Sequence, residues 1–118
     1  MSKNDKQQAL VPRLRFPEFR DAPRWDVERM GSCGQFLSSL SGKSAADFDT
    51  GDATFIPYMN VFSNTFTKVD DLRSVSVSEH ENQNAVVKGD VFFSVSSETP
   101  EDAGMSSVLL DEIKDCYL

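Results

Sequence analysis

The groups best suited to engage another molecule lie in the run Ser96-Ser97-Glu98-Thr99. Hydroxyls flanking one carboxylate match the edges of nucleic-acid bases: Glu98 accepts from cytosine N4, while Ser97 and Thr99 donate or accept. Asn60, two residues after Tyr58, adds a carboxamide of the kind that pairs with adenine N6 and N7. Lys43 adds a positive charge. Turn capping by Asn60 and ring burial by Tyr58 are the competing readings of that pair. For Thr99 the competing reading is a helix cap, because Thr99-Pro100-Glu101-Asp102 joins an N-cap, a proline at N1 and an acid at N3.

Catalytic constellations are harder to assemble. His80 is the single histidine and stands between Glu79 and Glu81, and no GxSxG elbow supplies a nucleophile for it. Zinc would require a second His or a close Cys, whereas Cys33 and Cys116 are far apart and read as reduced thiols. Ser41-Gly42-Lys43-Ser44 imitates the end of a phosphate-binding loop, but the first glycine of GxxxxGK[ST] would fall at Leu37. Asp47, Asp49 and Asp52 lack the other ligand positions and the closing Glu of a calcium loop. No catalytic residue, metal or cofactor is expected.

The polar run at 96–99 must be held by what surrounds it. Val91–Val95 has the β-branched and aromatic content of a buried strand, Lys88-Gly89-Asp90 reads as the turn before it, and Met105–Leu110 is the next apolar run. The pattern predicts strand, polar loop with one helical turn, strand. Thr54–Phe62 predicts a second strand with Ile56, Tyr58, Asn60 and Phe62 on one face, near an edge or bulge because of Pro57. Leu72–Val77 alternates as a third strand. Ser44 and Asp47 have capping-box spacing for a single turn ending near Gly51. Phe66 and Val69 are expected to pin the connection Ser63–Asp71 to the core.

Earlier in the chain, Pro12 and Pro17 exclude a continuous helix from Leu10–Phe19, where Leu10, Val11, Leu14, Phe16 and Phe19 interleave with Arg13, Arg15 and Arg20. That arm packs on its own domain or docks on a partner subunit. A short strand around Trp25, a helical turn through Met30–Gly34 and a strand at Gln35–Leu40 follow. Trp25 is read as a core anchor, its indole being the largest side chain present.

The chain has 118 residues, 39% hydrophobic and 10% aromatic, which fits one soluble domain with a modest core. Residues 1–9 are expected to be a disordered tail and 10–118 a single, partial domain. The start lacks an apolar segment, so neither a signal peptide nor a membrane association is expected, and a cytoplasmic setting follows. Net charge is −7. Residues 1–29 hold seven basic and five acidic side chains, and the rest hold five basic and fourteen acidic. Phosphate contacts dominate nucleic-acid affinity, so this chain needs a basic partner, or further sequence, to grip a backbone.

Three blocks carry a family resemblance: LVPRLRFPEFRDA with Trp25 a few residues on, LSGKSAADFDTGDATFIPYMNVFSN, and VKGDVFFSVSSETPEDAGMSSVLL. Together they resemble the first target-recognition domain of the specificity subunit of type I restriction–modification enzymes, from about Leu10 onward. The resemblance implies a non-catalytic module that reads double-stranded DNA. Modification and restriction subunits of the complex would then carry out adenine methylation and DNA cleavage. Cys116-Tyr117-Leu118 reads as the opening of a strand, so a truncated first recognition domain is expected, weak on DNA by itself.

The fold expected is α+β, a mixed, mostly antiparallel sheet with short helices, like a target-recognition domain. Within it, Ser97, Glu98 and Thr99, with Tyr58, Asn60 and Lys43, form the expected DNA-facing surface. The alternative is a small acidic domain that binds another protein, or forms a homodimer, through the apolar arm and an open sheet edge at its C-terminal end.

Overall fold

The structure, a computed structural model, describes residues 10–95 and 99–118. The chain divides into two compact units, one ending at Phe36 and the other spanning Leu37–Leu118.

In the first unit a closed loop runs from Leu10 to Trp25, whose backbone N–H donates to the Leu10 carbonyl at 3.0 Å. Its turn is a 3₁₀ segment, Pro17–Phe19, begun by proline as expected for a residue without a donor to lose. The Arg15 guanidinium sits inside the turn and donates to the carbonyls of Phe19 (3.1 Å), Ala22 and Pro23 (3.0 Å). One side chain thus supplies the donors that the tight backbone cannot. The predicted helical turn is present as α1, Met30–Cys33. The strands predicted around Trp25 and at Gln35–Leu40 are absent, and those stretches have no ladder partner. Trp25 is 68% exposed and is not a core anchor; its backbone, not its indole, does the closing.

The second unit is α+β. It has a mixed three-stranded sheet and a separate antiparallel pair, rather than one sheet. In the first sheet β1 (Phe48–Phe55) lies between β2 (Arg73–Val75, antiparallel) and β5 (Cys116–Tyr117, parallel). In the second, β3 (Val91–Phe93) pairs with β4 (Ser106–Val108). The capping box forms as predicted, with the Asp47 carboxylate accepting from the Ser44 N–H at 2.9 Å and its hydroxyl at 3.2 Å. Those two bonds hold the Asp47 carboxyl below the usual carboxylate range. The turn stops at Asp47 rather than near Gly51, because Phe48 already pairs in β1.

Both Phe48 and Ala53 face Val75, so residues 49–52 bulge out of β1. Asp49 (φ 62) and Gly51 (φ 88) take left-handed conformations to make it. A Cβ on Gly51 would stand 2.6 Å from the Ser76 Cα, so only glycine fits there.

The predicted strand Thr54–Phe62 is corrected. β1 ends at Phe55, and α2 (Tyr58–Ser63) begins after Pro57. Proline cannot donate to a ladder, and its fixed φ of −63° suits the entrance to a helix. Ile56, Val61, Val86, Phe92, Leu109 and Cys116 form the core, drawing on both sheets and α2. Phe66 and Val69 remain exposed. The connection is held instead by Thr67, buried, whose hydroxyl bonds Ser107 Oγ at 2.8 Å and whose N–H donates to the Val108 carbonyl at 2.9 Å.

Candidate nucleic-acid interface

The β3–β4 pair supplies the rigid base that the sequence pattern asked for. Phe92 and Ser107 face each other across the ladder and both are buried, as is Leu109 just beyond β4. Past β3, the Ser94 N–H donates to the Met105 carbonyl at 2.8 Å, and the Gly104 N–H returns a bond to the Ser94 carbonyl at 2.7 Å. Those two bonds form a closed neck at Ser94 and Gly104. Pro100–Asp102 forms the predicted single turn, a 3₁₀ segment with Thr99 at its N-cap. Thr99 Oγ1 donates to the Asp102 carboxylate at 2.5 Å, so part of its capacity goes into the cap. Ser97 and Glu98 lie outside the described residues.

Tyr58 and Asn60 occupy the first turn of α2 and diverge, whereas a strand would have set them on one face. Tyr58 is exposed, with its ring stacked on Phe62 at 5.7 Å. Asn60 is fully buried. Its amide donates to the carbonyls of Lys68 (2.9 Å) and Asp71 (3.0 Å), and its oxygen accepts from the Lys68 N–H (3.0 Å) and Asn64 Nδ2 (3.1 Å). No part of that amide is left for a base, so Asn60 belongs to the fold, holding the Lys68–Asp71 turn against α2.

Lys43 is likewise committed. Its side chain is 6% exposed, and Nζ donates to the Ser76 carbonyl at 2.5 Å and to Glu81 at 2.6 Å. Glu81 also accepts from Gln83 Nε2 and the Ser78 N–H. The Lys43 bond first, then those two, hold the Glu81 carboxyl down at about 2. Gln83 meanwhile exchanges two bonds with the Ser41 backbone, at 2.8 and 3.2 Å, and Asn84 donates to the Ser38 carbonyl at 3.1 Å. These side chains fasten 78–84 onto 38–43 in place of a β-ladder. His80 is exposed on that stretch.

Tyr58 and Thr99 are the expected contact residues that remain accessible among those described. Arg73 and Asp49 form an exposed ion pair at 2.5 Å, with Arg73 also over the Phe55 ring. Among the described residues no cluster of His, Cys, Asp and Glu is gathered to hold a metal. No helix among them is long and apolar enough to cross a membrane. Comparison of the chain with protein-family models, curated proteins and solved structures finds no match.

Proposed function

We propose that the chain is a sequence-reading DNA module of a type I restriction–modification complex, non-catalytic itself, acting beside modification and restriction subunits. What carries the reading is the β3–β4 hairpin: the last of the three blocks that resemble a recognition domain builds a pair with a buried base and a closed neck at Ser94 and Gly104. Direct readout needs short polar groups carried on a stiff support, because a mobile support would spend the contact energy on ordering. Ser97, Glu98 and Thr99 are the proposed readers, with Tyr58, exposed on α2, as a further candidate. Lys43 and Asn60 serve the fold through their own buried hydrogen bonds.

The test is Glu98→Ala in the assembled complex, followed by sequencing of the methylated sites. The expected result is relaxed choice at one base pair, equivalent to about 1–3 kcal/mol of lost discrimination. Methylation at an unchanged site removes Glu98 from the reading surface.

A second reading has its own support. β3 has no partner on its outer side among the described residues, and Val91 and Phe93 in it and Val95 just past it are exposed. A free apolar edge invites pairing with a second copy. The C-terminal edge does not: beyond β5, the Val86 and Leu40 N–H groups donate to the carbonyls of Cys116 and Leu118 at 2.8 Å each. Self-association by gel filtration, abolished by Val91→Lys, would favour this reading.

A further inference from the structure

The loop from Leu10 to Trp25 collects arginines around an empty space. Arg13, Arg15, Arg20 and Arg24 line one hollow of about 430 Å³, and no carboxylate among the described residues lines it. The hollow thus runs against the balance of the whole chain, whose net charge is −7. Glu18 and Asp21 belong to the same loop, yet neither borders the hollow or pairs with these arginines among the described residues.

The four side chains divide into two kinds. Arg15 is turned inward, its guanidinium spent on the carbonyls of Phe19, Ala22 and Pro23, so it fixes the loop's shape. Arg13, Arg20 and Arg24 are exposed, and their guanidinium groups have no hydrogen bond or ion pair among the described residues. Three guanidinium groups kept on one preformed wall repel one another until an anion arrives. Their planar, weakly hydrated forks match phosphate oxygens in a way that an ammonium does not.

We infer that this hollow is a phosphate-binding cradle, with Arg13, Arg20 and Arg24 as its ligands and Arg15 as its frame. Resting on the DNA reading above, its occupant is the phosphate backbone of the duplex. The N-terminal loop then supplies part of the grip that the acidic second unit cannot. This is a sequence-independent contact, separate from base reading at 97–99.

The test is an NMR titration of the full chain, following the arginine Nε–Hε signals, with a mixed-sequence duplex, with inorganic pyrophosphate and with phosphatidylglycerol vesicles as separate probes. The expected result is movement of Arg13, Arg20 and Arg24 with duplex and with pyrophosphate, while Arg15 stays in place. Combining Arg13→Gln, Arg20→Gln and Arg24→Gln should lower the salt slope of duplex binding by about 2 to 3, at about 0.9 per phosphate. Duplex binding that leaves all three signals unmoved overturns the cradle and leaves the DNA reading standing. Pyrophosphate shifts without any duplex binding keep the anion site and overturn its duplex occupant, whereas the DNA reading is tested separately in the assembled complex. Movement with vesicles alone reassigns the site to lipid headgroups and overturns its nucleic-acid occupant, and no movement with any probe overturns the cradle.

Discussion

Asn60→Ala would remove two donors and an acceptor that a buried side chain offers to the backbone of Lys68 and Asp71. Buried groups left unpaired cost about 1–3 kcal/mol each. The expected loss is therefore roughly 2 to 4 kcal/mol in urea denaturation, a large share of a small domain's stability. A base-reading Asn60 would instead change sequence choice and leave stability intact. Glu81 offers a pH test. Its carboxyl is held at about 2 against an ordinary 4.5, so its contribution to stability is complete above the ordinary value and is lost as pH falls through about 2. The denaturation midpoint should decline over that acid window, and Glu81→Gln should flatten the decline. An identical acid limb in the variant would show that the Lys43 clasp adds nothing.

Secondary-structure elements explain why some of this was legible from the sequence and some was not. Turn chemistry is local, so the Ser44–Asp47 box, the Thr99-Pro100 turn and α1 were predicted where they occur. The apolar run after Thr54 fits both periods, and Pro57 was read as a bulge marker when it ends β1 and opens α2. That misreading set Tyr58 and Asn60 on one face. The bonds of Asn60 to Lys68 and Asp71 come from tertiary placement, which no local pattern encodes. The arginine hollow had a visible sign, the density of Arg between 13 and 29, but its meaning depends on Arg15 bending the chain around itself. The β1 bulge gives this scale its prediction: Gly51→Ala should destabilise the second unit by more than the ~1–2 kcal/mol cost of a left-handed alanine, because its Cβ also meets the Ser76 backbone. A midpoint unchanged in urea would mean that the bulge relaxes freely.

For the molecule as a whole, the α+β class followed from the alternation of short apolar runs and capped turns, while the division at Phe36 did not. The first unit keeps Leu14 (91% exposed), Phe16 and Trp25 uncovered, which a composition-based reading of one core could not foresee. The account assigns separate tasks to the two units: phosphate grip near the N-terminus and base reading on the β3–β4 hairpin. It also assigns all catalysis to other subunits. The most direct measurement is selection from a pool of random duplexes by the chain assembled with a modification subunit, sequenced after several rounds. The account predicts one enriched short sequence whose choice shifts when Glu98 is replaced. Retention of duplexes with no enriched sequence, or no retention at low salt, would contradict it.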